Sequence, residues 1–325
     1  MRTVTNLGDV PDAPVPDVGG WFRSAVEHVP NAPRIRQWEP LGGFGRNSPD
    51  AVVAEALELF RNRPTMVLTG AGMSTGSGLP DYRGRDARVR NPMTFQEFVG
   101  SDLARRRYWA RSTVGWLTFG AARPGAAHRL LAELEEHVEV TGVVTQNVDG
   151  LHRAAGSARV IDLHGSLDGA YCLECGHAVH RQELQRVMLQ LNPELEGRLQ
   201  ELARDSATAP DGDAEVDRTE TFAYPACAVC GGILKPDVVF FGENARREVV
   251  AEAFGTLEIA EALVVLGSSL TVMSGLRFVR RAVRESMPVV IVNDGETRGD
   301  PLATVRVHGR LETVLARWLD LARQA

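Results

Sequence analysis

The sequence predicts an α/β fold, a doubly wound parallel sheet interrupted by one small inserted module. Apolar runs of strand length alternate with helical patterns along the 325 residues, the order that builds a parallel sheet covered on both faces. A glycine-dense turn directly follows the first of those strands. One polar interval breaks the alternation, and it holds all 4 cysteines.

Ser48-Pro49 reads as an N-cap followed by Pro at the first helical position. Val53, Ala56, Leu57 and Phe60 then recur at helical spacing. The apolar run 65–69, between Pro64 and Gly70, reads as a buried parallel strand. Further strands are expected at 138–144, 262–266, 288–292 and 304–307, with helices at 125–135, 248–261, 275–284 and 311–322. The stretch 170–233 is too polar for a core strand–helix unit and too long for a plain loop. It reads as an insert with a helix near 181–191 and a loop around Pro210-Asp-Gly-Asp213. The expected organisation is an N-terminal extension at 1–45, partly mobile up to about Trp21, a Rossmann-like domain from 46–169 and 234–325, and the insert at 170–233.

Hydrophobic content of 44% and charged content of 24% suit a soluble globular chain, and the length suits one large domain with an insert. A net charge of −6 argues against direct nucleic-acid binding, which needs clustered cations; the run Arg105-Arg-Arg107 reads as a solvated helix face. No apolar stretch is long enough to span a membrane, and the N-terminus lacks a signal-peptide layout, so a cytoplasmic protein is expected. Lys235 is the single lysine.

The cysteines form two C-x-x-C pairs, Cys172/Cys175 and Cys227/Cys230, each followed by a glycine, Gly176 and Gly231. In a reducing cytosol four such thiolates close one tetrahedral structural Zn²⁺ site with no open position. A redox dithiol and cysteines without a role are the alternatives. His177 and His180 are not needed once four sulfurs are counted.

The turn after the first strand runs Gly70-Ala71-Gly72-Met-Ser74-Thr75-Gly-Ser-Gly-Leu-Pro80-Asp81-Tyr82-Arg83-Gly84. Glycines there let backbone N–H groups approach a pyrophosphate. The usual dinucleotide fingerprint is broken, because Thr75 takes the place of its third glycine and the charged pair Asp81 and Arg83 arrives early. The second strand ends in Thr145-Gln146-Asn147-Val-Asp149-Gly-Leu-His152. Polar groups at that end of a parallel strand belong at a ligand crevice, although Asp149 is also suited to cap a helix. Two more glycine turns follow strands, at Gly267-Ser268-Ser269 and Asn293-Asp294-Gly295. His164, in Leu163-His164-Gly165-Ser166, is a candidate general base. The run Val238-Val-Phe240-Phe241-Gly242-Glu243 reads as an edge that could take a peptide as an added strand, or as a core strand.

Together these strings resemble the sirtuins, the NAD-consuming protein deacylases. The family pattern G-A-G-x-S-x-x-S-G-[IL]-P-D-[FY]-R is met at every fixed place from Gly70 to Arg83, and T-Q-N-[IV]-D-x-L-H and H-G-[ST] are met as well. The resemblance runs from about Pro49 to the C-terminal helix and leaves the first 45 residues, with Trp21 and Trp38, unexplained. It implies that NAD is held by Gly70, Ala71, Gly72, Ser74, Thr75, Pro80, Asp81, Tyr82 and Arg83. Gln146 would lie at the nicotinamide ribose, with Asn147 and Asp149 in the nicotinamide pocket. Gly267, Ser268 and Ser269 would meet the adenosine side, Asn293, Asp294 and Gly295 the adenine ribose, and Leu311 the adenine. His164 would be the catalytic base, helped by Asn147 and Asp149, with His152 orienting their loop. An acylated lysine peptide would lie along Val238, Phe240, Phe241, Gly242 and Glu243. The implied reaction releases nicotinamide and moves the acyl group to ADP-ribose; a mono-ADP-ribosyltransferase and a non-catalytic NAD-binding regulator are the rival readings.

Several strings, among them Val114-Gly-Trp116, Ser274-Gly-Leu-Arg-Phe278 and Thr297-Arg-Gly-Asp300, resemble the class II branch that includes mitochondrial sirtuin 4. Tyr108 and Arg111 form a Y-x-x-R pair about one helical turn apart, like the pair that binds acyl carboxylates in deacylases of acidic acyl groups. The expectation is a preference for larger or acidic acyl groups over acetyl, against a plain helix-surface salt bridge at Arg111.

Overall fold

A computed structural model describes residues 42–83, 92–205, 211–212 and 219–324. Residues 1–41 of the expected N-terminal extension, Gly84 at the end of the glycine motif, and Pro210 and Asp213 of the expected loop lie outside the described residues.

Six parallel strands form the main sheet: β1 (Thr65–Thr69), β2 (Val140–Thr145), β3 (Val160–Asp162), and, after the insert, β7 (Ala262–Leu266), β8 (Val289–Asn293) and β9 (Val305–His308), in the order β3-β2-β1-β7-β8-β9. β1 is central and buried along its whole length, which explains its apolar middle, Met66-Val-Leu68, between two buried threonines. One sheet face packs on α1 (Asp50–Glu58), α4 (Ala126–Leu134) and α11 (Leu311–Ala322) through Leu57, Leu131, Leu315 and Trp318. The other face packs on α9 (Arg247–Glu258) and α10 (Met273–Arg284) through Leu257, Leu276 and Phe278. Trp318 is fully buried and spends its one polar atom on Val53, Nε1 donating to the carbonyl at 2.8 Å.

Ser48 does not cap α1. Pro49 takes the cap position, while the Ser48 hydroxyl accepts the His308 N–H at 2.9 Å and the Ser48 N–H donates to the His308 carbonyl at 2.8 Å. β9 is the sheet edge, and its unpaired backbone groups claim the serine.

The expected insert at 170–233 is joined to a three-stranded antiparallel sheet, β5-β4-β6, made of β4 (Gly165–Cys172), β5 (Ala178–His180) and β6 (Leu234–Val238), so its small sheet reaches past both expected bounds. Both flanks of the insert are therefore strands that begin or end beside site residues. Helices α6 (Arg181–Leu191), α7 (Pro193–Glu196) and α8 (Leu199–Asp205) complete it. Two further helices, α2 (Phe95–Gly100) and α3 (Asp102–Ala121), lie before α4, and α5 (Leu151–Ala155) follows β2. Arg105 and Arg106 are not a free basic face. Arg105 donates to the Phe98 and Val99 carbonyls and the Tyr224 hydroxyl, and Arg106 to Asp102 and the Phe222 carbonyl, so they fasten α3 to the insert.

Candidate active site

The strand order turns between β1 and β7, and the loops leaving these two strands frame a cavity of about 540 Å³. The two loops lie backbone against backbone: the Gly72 N–H donates to the Gly267 carbonyl at 2.9 Å. A Cβ on Gly72 would sit 2.9 Å from both Gly267 Cα and its carbonyl oxygen, so only glycine fits there. Gly267 itself has φ of 61°, the left-handed region.

The β1 turn contributes Gly70, Ala71, Gly72, Ser74, Pro80, Asp81, Tyr82 and Arg83 to the lining. Arg83 Nη1 donates to Ser269 Oγ at 3.3 Å across the mouth, and burial lowers its pKa to about 10. Gln146, Asn147 and Asp149 line the cavity from the end of β2, and Gly267, Ser268 and Ser269 from the end of β7. Ser74 ties the first two groups together. Its hydroxyl donates to Asp149 Oδ2 at 2.6 Å and accepts from Asn147 Nδ2 at 3.0 Å, and the same amide donates to the Gly70 carbonyl at 3.0 Å. Asp149 Oδ1 accepts the Leu151 N–H at 2.9 Å, so one carboxylate oxygen starts α5 and the other faces Ser74. Beneath them His152 is 1% exposed, with Nε2 2.9 Å from the Thr69 hydroxyl, and burial pushes its pKa down to about 3.

His164 stands on the turn into β4 and lines the same cavity. Its Nδ1 is 3.0 Å from the Gln146 carbonyl oxygen, which can only accept, so the proton sits on Nδ1. Nε2 then carries the lone pair, 2.8 Å from Ser274 Oγ, and accepts from that hydroxyl. Burial lowers the pKa to about 4; the Gln146 hydrogen bond opposes this and the charge of Arg277 adds to it. The result is a neutral imidazole with its basic nitrogen fixed at the cavity wall.

The wall from the end of β6 carries Val238, Phe240, Phe241, Gly242 and Glu243. Lys235, only 1% exposed, holds it from behind. Nζ donates to the Val238 carbonyl at 2.5 Å and pairs with Glu243 Oε2 at 3.0 Å, and that oxygen accepts the Phe240 N–H at 2.8 Å.

Five expected residues do not line the cavity. Tyr108 is 5% exposed, with its ring edge-on to Phe98, Trp109 and Phe240. Arg111, on the same helix, is half-buried. Thr75 turns its hydroxyl to the Gly72 carbonyl. Leu311 is in the core, with Cδ1 close to Gly267, and Gly295 lies behind Phe44. The cavity lining adds Phe44, Asp211, Ser274 and Arg277, which sequence reasoning missed as site residues. Ser274 and Arg277 both lie in Ser274-Gly-Leu-Arg-Phe278, and Asp211 lies in the loop around 210–213, whereas Phe44 had no local signal.

The four cysteine sulfurs lie within 4.8 Å of one another, with Cys172–Cys230 at 3.4 Å and Cys175–Cys227 at 3.7 Å. A tetrahedron of thiolates around zinc has sulfurs about 3.8 Å apart, from a Zn–S bond of about 2.3 Å. The donor set therefore fits one structural zinc ion and leaves no coordination place for chemistry.

A switch-point cavity with a tethered neutral imidazole, beside a four-cysteine module inserted in a parallel sheet, defines a dinucleotide-dependent class of Rossmann-like protein. The model of the Sir2 family matches residues 70–274, more than half of the chain. A Streptomyces coelicolor protein named "NAD-dependent protein deacetylase 1" is 50% identical over 83% of this chain and 89% of its own length. A Mycobacterium avium protein of the same name is 49% identical over 82% of this chain and 94% of its own. Among solved structures, one described as "Sir2-p53 peptide-NAD+" superposes with a TM-score of 0.65 at 30% identity, covering 86% of this chain and 100% of that one. The chain belongs to the Sir2 family, the sirtuins.

Proposed function

We propose that the protein is an NAD-dependent protein-lysine deacylase, with an acetylated lysine peptide as its first substrate class. The observation that carries the reading is His164, held neutral with its lone pair at Nε2 on the wall of the family cavity. Family membership and relatives named as deacetylases support it. So do similar structures described as "Sir2 bound to acetylated peptide" and "Structure of Sir2Tm bound to a propionylated peptide".

The cavity fits NAD on its own chemistry. Glycines let the β1 and β7 turns close backbone against backbone at the cavity, a surface whose N–H groups suit a pyrophosphate, and Asn147 and Asp149 offer an amide and a carboxylate to the nicotinamide end. When bound, NAD supplies an electrophilic ribose carbon whose bond to nicotinamide breaks. Asn147, fixed by Ser74 and the Gly70 carbonyl, orients the ring, and Asp149 holds its place beside it. His164 takes a proton at Nε2, and the Gln146 carbonyl keeps the positive ring oriented through Nδ1–H. The Val238–Glu243 wall, stiffened by Lys235, receives the peptide as a strand. No helix among the described residues is long and apolar enough to cross a membrane.

The expected preference for larger or acidic acyl groups rests on Tyr108 and Arg111, neither of which lines the cavity. Acetyl-lysine is the better-supported substrate. Mass spectrometry of products from acetyl-, glutaryl- and lipoyl-lysine peptides tests both points. O-acetyl-ADP-ribose as the leading product supports the reading, whereas ADP-ribosylated protein as the main product contradicts it.

A further inference from the structure

The cavity has an end for which the glycine and histidine motifs supply no flat apolar surface. At the tip of β8 the lining is polar, from Asn293, Asp294 and Glu296. Leu311, the apolar side chain expected there, is 5% exposed and packs into the core. The ring that does line this end comes from the segment ahead of the domain, from Phe44.

Two hydrogen bonds hold that segment. The Glu296 N–H donates to the Gly42 carbonyl at 2.9 Å, and the Gly45 N–H donates to Asp294 Oδ1 at 2.6 Å. They clasp the β8 turn on both sides of the ring. Gly295, with φ of 110°, makes the fit possible, since a Cβ there would lie 2.5 Å from Phe44 Cε1. The ring is half-buried and lines the cavity. The other aromatic rings on the cavity, Tyr82, Phe240 and Phe241, belong to the β1 turn and the β6 wall.

We propose that Phe44 is a cofactor-binding residue, the apolar wall for the adenine ring, strapped to the β8 turn by Gly42 and Gly45. The proposal rests on the reading of the cavity as an NAD site. An aromatic face suits a purine because every base offers a π-face and needs no matching donor pattern. It also gives the chain ahead of α1 a function, placing part of the expected extension in the site.

The test is calorimetric titration of the zinc-loaded full-length protein with ADP-ribose, which carries the adenine and lacks nicotinamide. Ligand-observed NMR of free nicotinamide is the paired readout. Phe44→Ala should weaken ADP-ribose on the order of tenfold, the loss typical of a removed aromatic–base contact, and leave nicotinamide binding unchanged. Phe44→Leu, which keeps most of the volume, should fall between the two, and Phe44→Trp should retain affinity. Unchanged ADP-ribose affinity in Phe44→Ala would overturn the proposal, as would equal losses for both ligands, which mark general damage. Failure of the unaltered protein to bind ADP-ribose would overturn the NAD reading along with it.

Discussion

Replacing Gly72 with alanine is expected to spread the two loops that frame the cavity. The new Cβ would fall 2.9 Å from Gly267 Cα and 2.9 Å from its carbonyl oxygen, both backbone atoms that cannot rotate away. Relief requires the loops to separate by about half an ångström or more, and that movement strains or breaks the Gly72 N–H to Gly267 carbonyl bond of 2.9 Å. Overpacking of this kind costs about 1–3 kcal/mol. A lost backbone hydrogen bond adds about 1 kcal/mol. The sum, about 2–4 kcal/mol, corresponds to a fall in Tm on the order of 3–7 °C for a domain of this size. Because the displaced backbone is where a pyrophosphate would sit, NAD affinity should fall more than tenfold as well. Gly100→Ala is the control, since nothing lies within 4 Å of a Cβ at that position. Calorimetric Tm and NAD titration of both variants supply the readouts. A Gly72→Ala protein with the Tm and NAD affinity of Gly100→Ala would refute the reasoning.

Ser274→Ala removes the partner of His164 Nε2 while the Gln146 carbonyl keeps the Nδ1 proton in place. Turnover should fall about three- to tenfold from lost orientation, in line with a single hydrogen bond of about 1 kcal/mol, with NAD affinity unchanged; full turnover would show that the contact positions nothing. His164 should titrate near pH 4 by NMR, because burial disfavours the charged ring. Its neutral, basic form is therefore populated from neutral pH down to about 4, and activity should show no acid loss from this group near pH 6.5. A His164 midpoint near 6.5 would contradict the burial assigned to it. Metal analysis should find one zinc per chain, and Cys227→Ser should lose it and unfold the insert, seen as a new low-temperature transition. A metal-free Cys227→Ser protein with unaltered melting would remove the structural role.

What could be read from residues alone follows how locally each feature is encoded. β1 was legible because a strand buried on both faces is apolar through its middle, and Pro64 and Gly70 mark its ends. α11 was found at 311–322 because only one of its faces is buried, which leaves a helical period in the sequence. β3 has only three residues, too few for any period to show. β4 mixes two glycines and an aspartate with apolar residues, so its pairing with β5 and β6 was hidden. The glycine turn, Asn147, Asp149 and His164 could be picked out because each lies in a contiguous motif, and the structure gathers them on one cavity. Phe44 lies ahead of α1, outside every motif, and only the tertiary fold brings it there. Tyr108 shows the converse. Its spacing to Arg111 correctly puts both on one helix, but packing against Phe98 and Phe240 decides which way that helix faces.

The most direct measurement is nicotinamide release from NAD by the zinc-loaded protein with an acetyl-lysine peptide, run beside His164→Tyr. The unaltered protein should release nicotinamide in step with peptide deacetylation, and His164→Tyr should retain its zinc yet deacetylate nothing. No nicotinamide from the unaltered protein, or undiminished deacetylation by His164→Tyr, would contradict the role given to the cavity and its imidazole.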